Sequence, residues 1–514
     1  MLSIAGQIGA SWKDQLYLDI TGRNDWSSAL VYSDGHGTYS YFYPSISGSW
    51  LITNTFREQL PEWISFMKLR GSWAQVGNDT DPYILNTAYN LLTGTINGNR
   101  VSGTELSSTV YSNDLKPERK NSWEIGLDWR FLKNRIGLDF TYYKENTTDQ
   151  IMKIAVPSVS GISNQYVNAG NIQNSGIEIA LNTTPIETED WTWDLNFTYT
   201  RNRSKIIELH ENVADFIALS GDVAYGNYRV GSVAKVGGAY GLLMSDSMTK
   251  VDKTSGMKVL GWSTNMISAH WYRSGELEEV GDINPDFLGS LNTSLRYKNW
   301  NLSVSLDARF GGMVASYGGR YGTSYGFTKS SLAYRDAAHG GTTFTSRWDG
   351  ITYDDGVIPD GIFLTGTQIN QPDGSIYTVT SGAHSSGETF KELMDKGLIE
   401  PSHANTWTNR NNRWINVASA PSQGVITEET LCELNYIALR DVSLSYTMPS
   451  NIAGKIGAKS LMLTAAAHNL GYLVNSLPNN ENPEAVRGTV AHEFRLRNFD
   501  GVTTNFTFTI NASF

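Results

Sequence analysis

The chain has 514 residues, and 51 acidic against 40 basic side chains leave a formal net charge of −11, which argues against a nucleic-acid groove lined by clustered Lys and Arg. The single cysteine, Cys432, allows neither an intrachain disulfide framework nor a thiolate zinc site. No run of eighteen apolar residues excludes helical membrane spans, while 18% charged residues, 49 Gly, 15 Trp and 26 Tyr fit an all-β chain with polar loops.

Such a length usually means two or more soluble domains, and a large closed barrel is the main alternative. Period-two alternation begins at once: Ile4, Gly6, Ile8, Ala10 and Trp12 oppose Ala5, Gln7, Gly9 and Ser11. The start has neither the basic region nor the apolar core of a secretory signal, so a fragment opening inside a strand is expected. Alternation continues over Leu16 to Arg23, Phe42 to Ile52, Phe66 to Gln75, Trp123 to Phe131, Ile136 to Tyr142, Ile177 to Leu181 and Trp191 to Tyr199. Phe287 to Tyr297 and Trp300 to Phe310 make the most regular hairpin, and Tyr436 to Thr447 and Leu461 to His468 follow. The last segment, Thr504 to Phe514, puts Phe506, Phe508, Ile510, Ala512 and Phe514 on one face and only uncharged polar residues on the other. About thirteen strands result, near the ~9 to 11 residues that cross a bilayer as tilted strands.

The connections alternate in length. Lys13 to Gln15, Thr53 to Ser65, Leu132 to Arg135, Pro185 to Asp190, Lys298 to Asn299 and Met448 to Ser460 are short. Asn24 to Tyr41, Val76 to Ser122, Asn146 to Gly176, Arg201 to Asp286, Gly311 to Asn435 and Asn469 to Thr503 are long. Outer-membrane barrels have short periplasmic turns and long outer loops, so odd strands are expected to descend and Phe514 to end at the periplasmic face. Thirteen strands that start with a descending one imply an odd number upstream and leave two unpaired edges. Trp191, Trp193, Tyr297 and Trp300 suit an interfacial aromatic girdle, or equally a sandwich core.

Several stretches resemble the C-terminal barrel of TonB-dependent outer-membrane transporters, specifically the SusC/RagA branch of Bacteroidetes. Asp114-Leu-Lys-Pro-Glu-Arg119 with Ser122-Trp-Glu-Ile-Gly126 is similar to its LKPE plus (S/T)xExG pattern. Tyr41 to Ser47, Leu69 to Asn78 and Asn168 to Glu178 are similar to its YPS, LRxSxxxxGN and N(I/A)GxxxNxGxE segments, and Asn284 to Phe287 and Asn435 to Tyr446 complete the order. The resemblance implies a barrel of about 22 strands, of which residues 1–514 would be the C-terminal part, with the N-terminal plug and first strands absent. It also implies TonB acting through that missing part, a SusD-like surface lipoprotein as partner, and Phe514 as the signal read by the barrel assembly machinery.

Little points to covalent chemistry. Gly322-Thr-Ser324-Tyr-Gly326 has the letters of a nucleophile elbow, but its Gly and Tyr rich flanks predict a turn. Asp349 to Asp360 lacks the ligand spacing of a calcium loop and is expected to be a solvated turn. His468 and His492 have no evident metal partner. Trp262, Trp271, Trp348, Trp407 and Trp414 fall in long loops, where they either contact substrate or partner, or pack the loops together. The expectation is a partial transmembrane antiparallel β-barrel in the outer membrane, importing oligosaccharide or peptide, with no catalytic residue, metal or cofactor. The alternative is a soluble or surface-attached β-rich carbohydrate-binding protein.

Overall fold

The computed structural model describes residues 2–82, 84–85, 89–97, 99–156, 162–211, 213, 215–221, 230–263, 268–324, 326–404, 426, 428, 430–485, 495–496, 501 and 503–514. A single thirteen-stranded sheet forms a wall in which every strand is antiparallel to its sequence neighbour. Its strands are β1 (Leu2–Trp12), β2 (Leu16–Trp26), β3 (Ser40–Leu51), β4 (Ile64–Asn78), β5 (Glu118–Phe131), β6 (Ile136–Thr148) and β7 (Asn171–Glu187). They continue as β8 (Trp191–Glu208), β9 (Phe287–Tyr297), β10 (Trp300–Phe310), β11 (Tyr436–Thr447), β12 (Ser460–Asn475) and β13 (Asn505–Ser513). These are the thirteen segments that alternation marks, in the same order. The sheet is open: β1 and β13 are its two edges.

Several strands outrun their alternating stretches. β7 and β8 extend to Asn171 and Glu208, where the two residues pair, and beyond the apolar band Gln173 to Ser175 and Arg201 to Lys205 are polar on both faces. Antiparallel pairing puts all the short turns at one rim and all the long loops at the other. At the turn rim Trp191, Tyr297, Trp300 and Tyr446 are register partners in sequence across β8 to β11. Ring centroids are 4.3 Å apart for Trp191 and Tyr297 and 4.6 Å for Trp300 and Tyr446. The expected girdle is therefore a continuous belt, although Trp193, one residue pair further in, hydrogen-bonds Thr293 Oγ1 at 2.8 Å.

The hydrophobic interior lies in the loops and not under the wall. Of the nine largest fully buried side chains, only Ile206 belongs to a wall strand, at the loop end of β8, whereas Phe363, Phe390, Leu260 and Leu30 lie in long loops. On the wall the apolar face stays bare: Ile8 is 71% exposed, Ile125 49%, Trp300 47% and Phe508 84%. A soluble sandwich would cover that face with a second sheet. Leaving it open suits hydrocarbon as solvent.

The long loops hold more regular structure than their sequence suggests. Val259–Ser263 pairs with Ser268–Trp271 and, in parallel, with Ile362–Leu364, which pairs with Gly387–Thr389. This joins the β8–β9 and β10–β11 loops into one folded head, with Phe390–Asp395 as a helix capped by a Thr389/Glu392 capping box. Such strands are short and buried on both faces, so no period-two pattern betrays them.

Candidate functional site

Two surfaces can meet a ligand: the polar face of the wall and the loop head above it. The polar face is ordered by glycines. Gly126 lies opposite Arg70, and a Cβ there would overlap the guanidinium. Without one, Arg70 lies flat and makes a bidentate pair with Asp139 on β6, at 2.8 and 2.9 Å, donates to Thr141 Oγ1 at 2.6 Å and sits 3.5 Å from Glu124. In the same way Tyr43 lies over Gly77, and Tyr143 over Gly176. The glycines of three recurrent motifs are thus slots for side chains from the neighbouring strand.

Across β4 to β6 this face is charged and ion-paired. From β6 onward one register row becomes Gly137, Asn182, Asn196, Asn292, Ser305, Asp441, His468 and Asn505, polar or glycine on every strand to the edge. A cavity of about 470 Å³ opens over its middle, lined by Asn182, Asn196, Asn292, Ser294, Ser305 and Asp194 among others. At the far end Asp441 bonds His468 Nδ1, and His468 Nε2 lies 3.1 Å from Thr507 Oγ1. This has the order of a hydrolytic triad, but Thr507 lies within the strand β13 and not on the sharp strand-to-helix corner that presents a nucleophile.

Near the loop rim β11 carries a bulge between Leu439 and Asp441. It turns Arg440 onto Asp307 Oδ2 at 2.8 Å and onto both carboxylate oxygens of Glu484, at 2.8 and 2.5 Å. Glu484 belongs to the β12–β13 loop, which is thereby strapped over the polar face, with Leu477 and Ala485 packed on Tyr436 and Ala438. Glu481 of the same strap is buried; burial pushes its carboxyl above the usual range, and it accepts from Ser316 Oγ at 2.7 and 2.6 Å. No sequence signal marks this strap.

The loop tryptophans are only partly brought together. Trp271 is 7% exposed in the core of the head, with the Lys258 ammonium 4.2 Å from its ring centroid, and Trp262 packs against the same core. Trp348 sits apart, in the turn between Thr342–Thr345 and Thr352–Val357. Trp407, Trp414 and His492 lie outside the described residues. Phe514 is 73% exposed, and its carbonyl accepts from Lys459 Nζ at 3.0 Å.

The expected turn at Ser324 is instead the end of a helix, Tyr317–Ser324, that follows the strand Met313–Ser316. The whole helix separates Ser324 from the strand, so the sharp strand-to-helix corner of an elbow does not fall on it. Asp349 closes its own turn, accepting from Ile351 N at 2.9 Å and Tyr353 Oη at 2.8 Å. Among the described residues no group of three His, Cys, Asp or Glu is placed to hold a metal ion.

Residues 3–307 match the family model described as TonB dependent receptor-like, beta-barrel. TonB-dependent receptor P3 of Formosa agariphila is 27% identical over 333 residues, 62% of this chain and 32% of the relative. TonB-dependent receptor SusC of Bacteroides thetaiotaomicron is 26% identical over 327 residues, 61% of this chain and 31% of the relative. The match thus spans about a third of the length of these curated relatives. Among solved structures, the RagAB peptide importer in its open-open state superposes on all of this chain and 46% of its own, with a TM-score of 0.65 at 18% identity, a likeness of fold.

Proposed function

Because this chain belongs to the TonB dependent receptor-like β-barrel family, whose members are outer-membrane barrels, we propose that it is the C-terminal wall of an active importer of oligosaccharide or peptide. The observation that carries this reading is the inverted burial: an apolar face left bare on the wall, a polar face within, and the packed interior in the loops and at the loop ends of the strands. TonB would supply energy through a segment outside residues 1–514, a SusD-like lipoprotein would cap the loop layer, and the barrel assembly machinery would insert the wall. No residue is assigned covalent chemistry.

Closure supports the same reading. β1 and β13 both run from the loop rim to the turn rim, so pairing them with each other would make a parallel seam. An odd number of further strands restores antiparallel pairing at both edges, in keeping with a chain that spans a third of its relatives. The test is extraction of the full-length receptor from cell envelopes. It should stay in the pellet through alkaline carbonate and high salt and be released only by detergent; release without detergent rejects the barrel and with it the importer.

A further inference from the structure

The bare face of the wall is not apolar to its upper end. On β8 that face reads Trp193, Leu195, Phe197 and Tyr199 from the turn rim upward, and then Arg201, Arg203 and Lys205. Register sets Trp73, Trp123, Lys144, Ser175 and Arg203 in one row across β4 to β8, and Ile125, Tyr142, Ile177 and Arg201 in the row beneath. On β5 the same face reaches Arg119 above Trp123. Elsewhere between the two rims this face is uncharged on every strand of the wall. The basic residues of the polar face are neutralised, Arg70 by Asp139, Lys120 by Glu145 and Arg440 by Asp307 and Glu484. Those of the bare face are not: Arg203 meets Asp286 at 2.9 Å, but Arg119, Lys144, Arg201 and Lys205 have no acidic partner among the described residues.

We propose that the loop-side outer face of β5 to β8 binds the phosphate groups of a glycolipid in the outer leaflet. The inference rests on the outer-membrane wall with its long loops directed outward, and it concerns the lipid around the wall, not the cargo. Cations beside hydrocarbon are costly unless an anion meets them. Long Lys and Arg stems lie along apolar surface and lift their charge to headgroup level, and the Arg fork takes two phosphate oxygens at once. Trp73, Trp123 and Tyr142 put that level at these rows, because indole and phenol rings favour the membrane interface. Arg201 and Lys205 stand roughly 14 Å apart along β8, and Lys144 lies about 10 Å across the sheet from Arg203, so the patch spans a headgroup. An acidic soluble protein fits less well, since Arg201 is level with Ile125 and Ile177, where such a partner would have to enter lipid.

The test uses the full-length receptor, purified in a neutral detergent and freed of lipid. The probes are bisphosphorylated lipid A, the same lipid enzymatically dephosphorylated, and phosphatidylethanolamine, with binding read by native mass spectrometry. Lipid A should bind and the other two should not. Removing three cations with Arg201→Gln, Arg203→Gln and Lys205→Gln together should weaken lipid A about a hundredfold, whereas Lys133→Gln at the turn rim should bind like the parent. Lys144→Gln and Lys205→Gln singly, each expected to cost about fivefold, keep the test valid where heat-modifiability shows that the triple variant does not fold. Equal binding of dephosphorylated lipid overturns phosphate recognition, and unchanged affinity in the folded Gln variants overturns the site. A surface lipoprotein that is lost from the Gln variants while lipid affinity holds overturns it in favour of a protein contact. Each of these leaves the importer reading standing, which release of the receptor from envelopes without detergent would reject separately.

Discussion

Gly126 and Arg70 make the sequence motifs physical. The Arg of the LRxS stretch needs the Gly of the (S/T)xExG stretch, because only a missing Cβ lets the guanidinium lie across β5 to reach Asp139. Gly126→Ala is expected to push Arg70 off that bidentate pair and to cost about 1 to 3 kcal/mol, the usual penalty of overpacking. Gly71, where a Cβ would meet nothing closer than 3.7 Å, is the control, and Gly71→Ala should stay within about 0.5 kcal/mol. The heat-modifiability midpoint of the folded barrel on gels measures both, and equal midpoints would remove the slot as the reason for the glycine. Alternation places these residues on the polar face from sequence alone. The glycine slots, the Arg440 bulge and the strap it holds depend on which strand is next door and in what register, and no single stretch of sequence contains that.

At the scale of elements, the wall was legible and the loop head was not, for one reason. A strand between lipid and a polar lumen has two unlike faces and writes a period of two. Val259–Ser263 and Ile362–Leu364 are covered on both sides and write only short apolar runs. Trp271 shows the consequence: sequence marks it as a ligand platform or as packing, and the structure sets it in the core beneath Lys258. Its neighbour His270 is fully buried, with neither ring nitrogen bonded among the described residues, and burial lowers its pKa from 6.5 to about 4. The unfolded head takes up a proton below pH 6.5, whereas the folded head refuses it until about pH 4. Its stability is therefore complete above 6.5 and falls across that window, by about 3 kcal/mol. Limited proteolysis should cut the head faster as the pH drops, and His270→Leu should flatten the profile. A wild-type profile already flat would place the imidazole in contact with water.

For the whole molecule the critical feature is the open sheet, because an unpaired edge in hydrocarbon leaves a full row of backbone groups unsatisfied. β13 is that edge in its plainest form: every residue from Asn505 to Ser513 is exposed, and Phe506, Phe508, Ile510 and Phe514 stand bare on one face. Its inner neighbour is secured, since Ser460 to His468 pair with it residue for residue and Lys459 reaches back to Phe514. Within residues 1–514 β13 has no partner on its outer side, and we propose that its end is held during insertion while that edge is open. An aromatic ring at the turn rim, where the girdle lies, is well placed for that hold, because it anchors the strand end in the interface while the edge is still open. We therefore expect Phe514→Ser in the full-length receptor to lower the amount of heat-modifiable barrel in the outer-membrane fraction several-fold, and Phe514→Tyr, which keeps the interfacial ring, to leave it near the parent level. The terminal carbonyl that Lys459 binds is common to both variants, so a loss shared equally by Ser and Tyr would assign the defect to something other than the ring. Unchanged assembly of the Ser variant would remove Phe514 from the insertion step altogether.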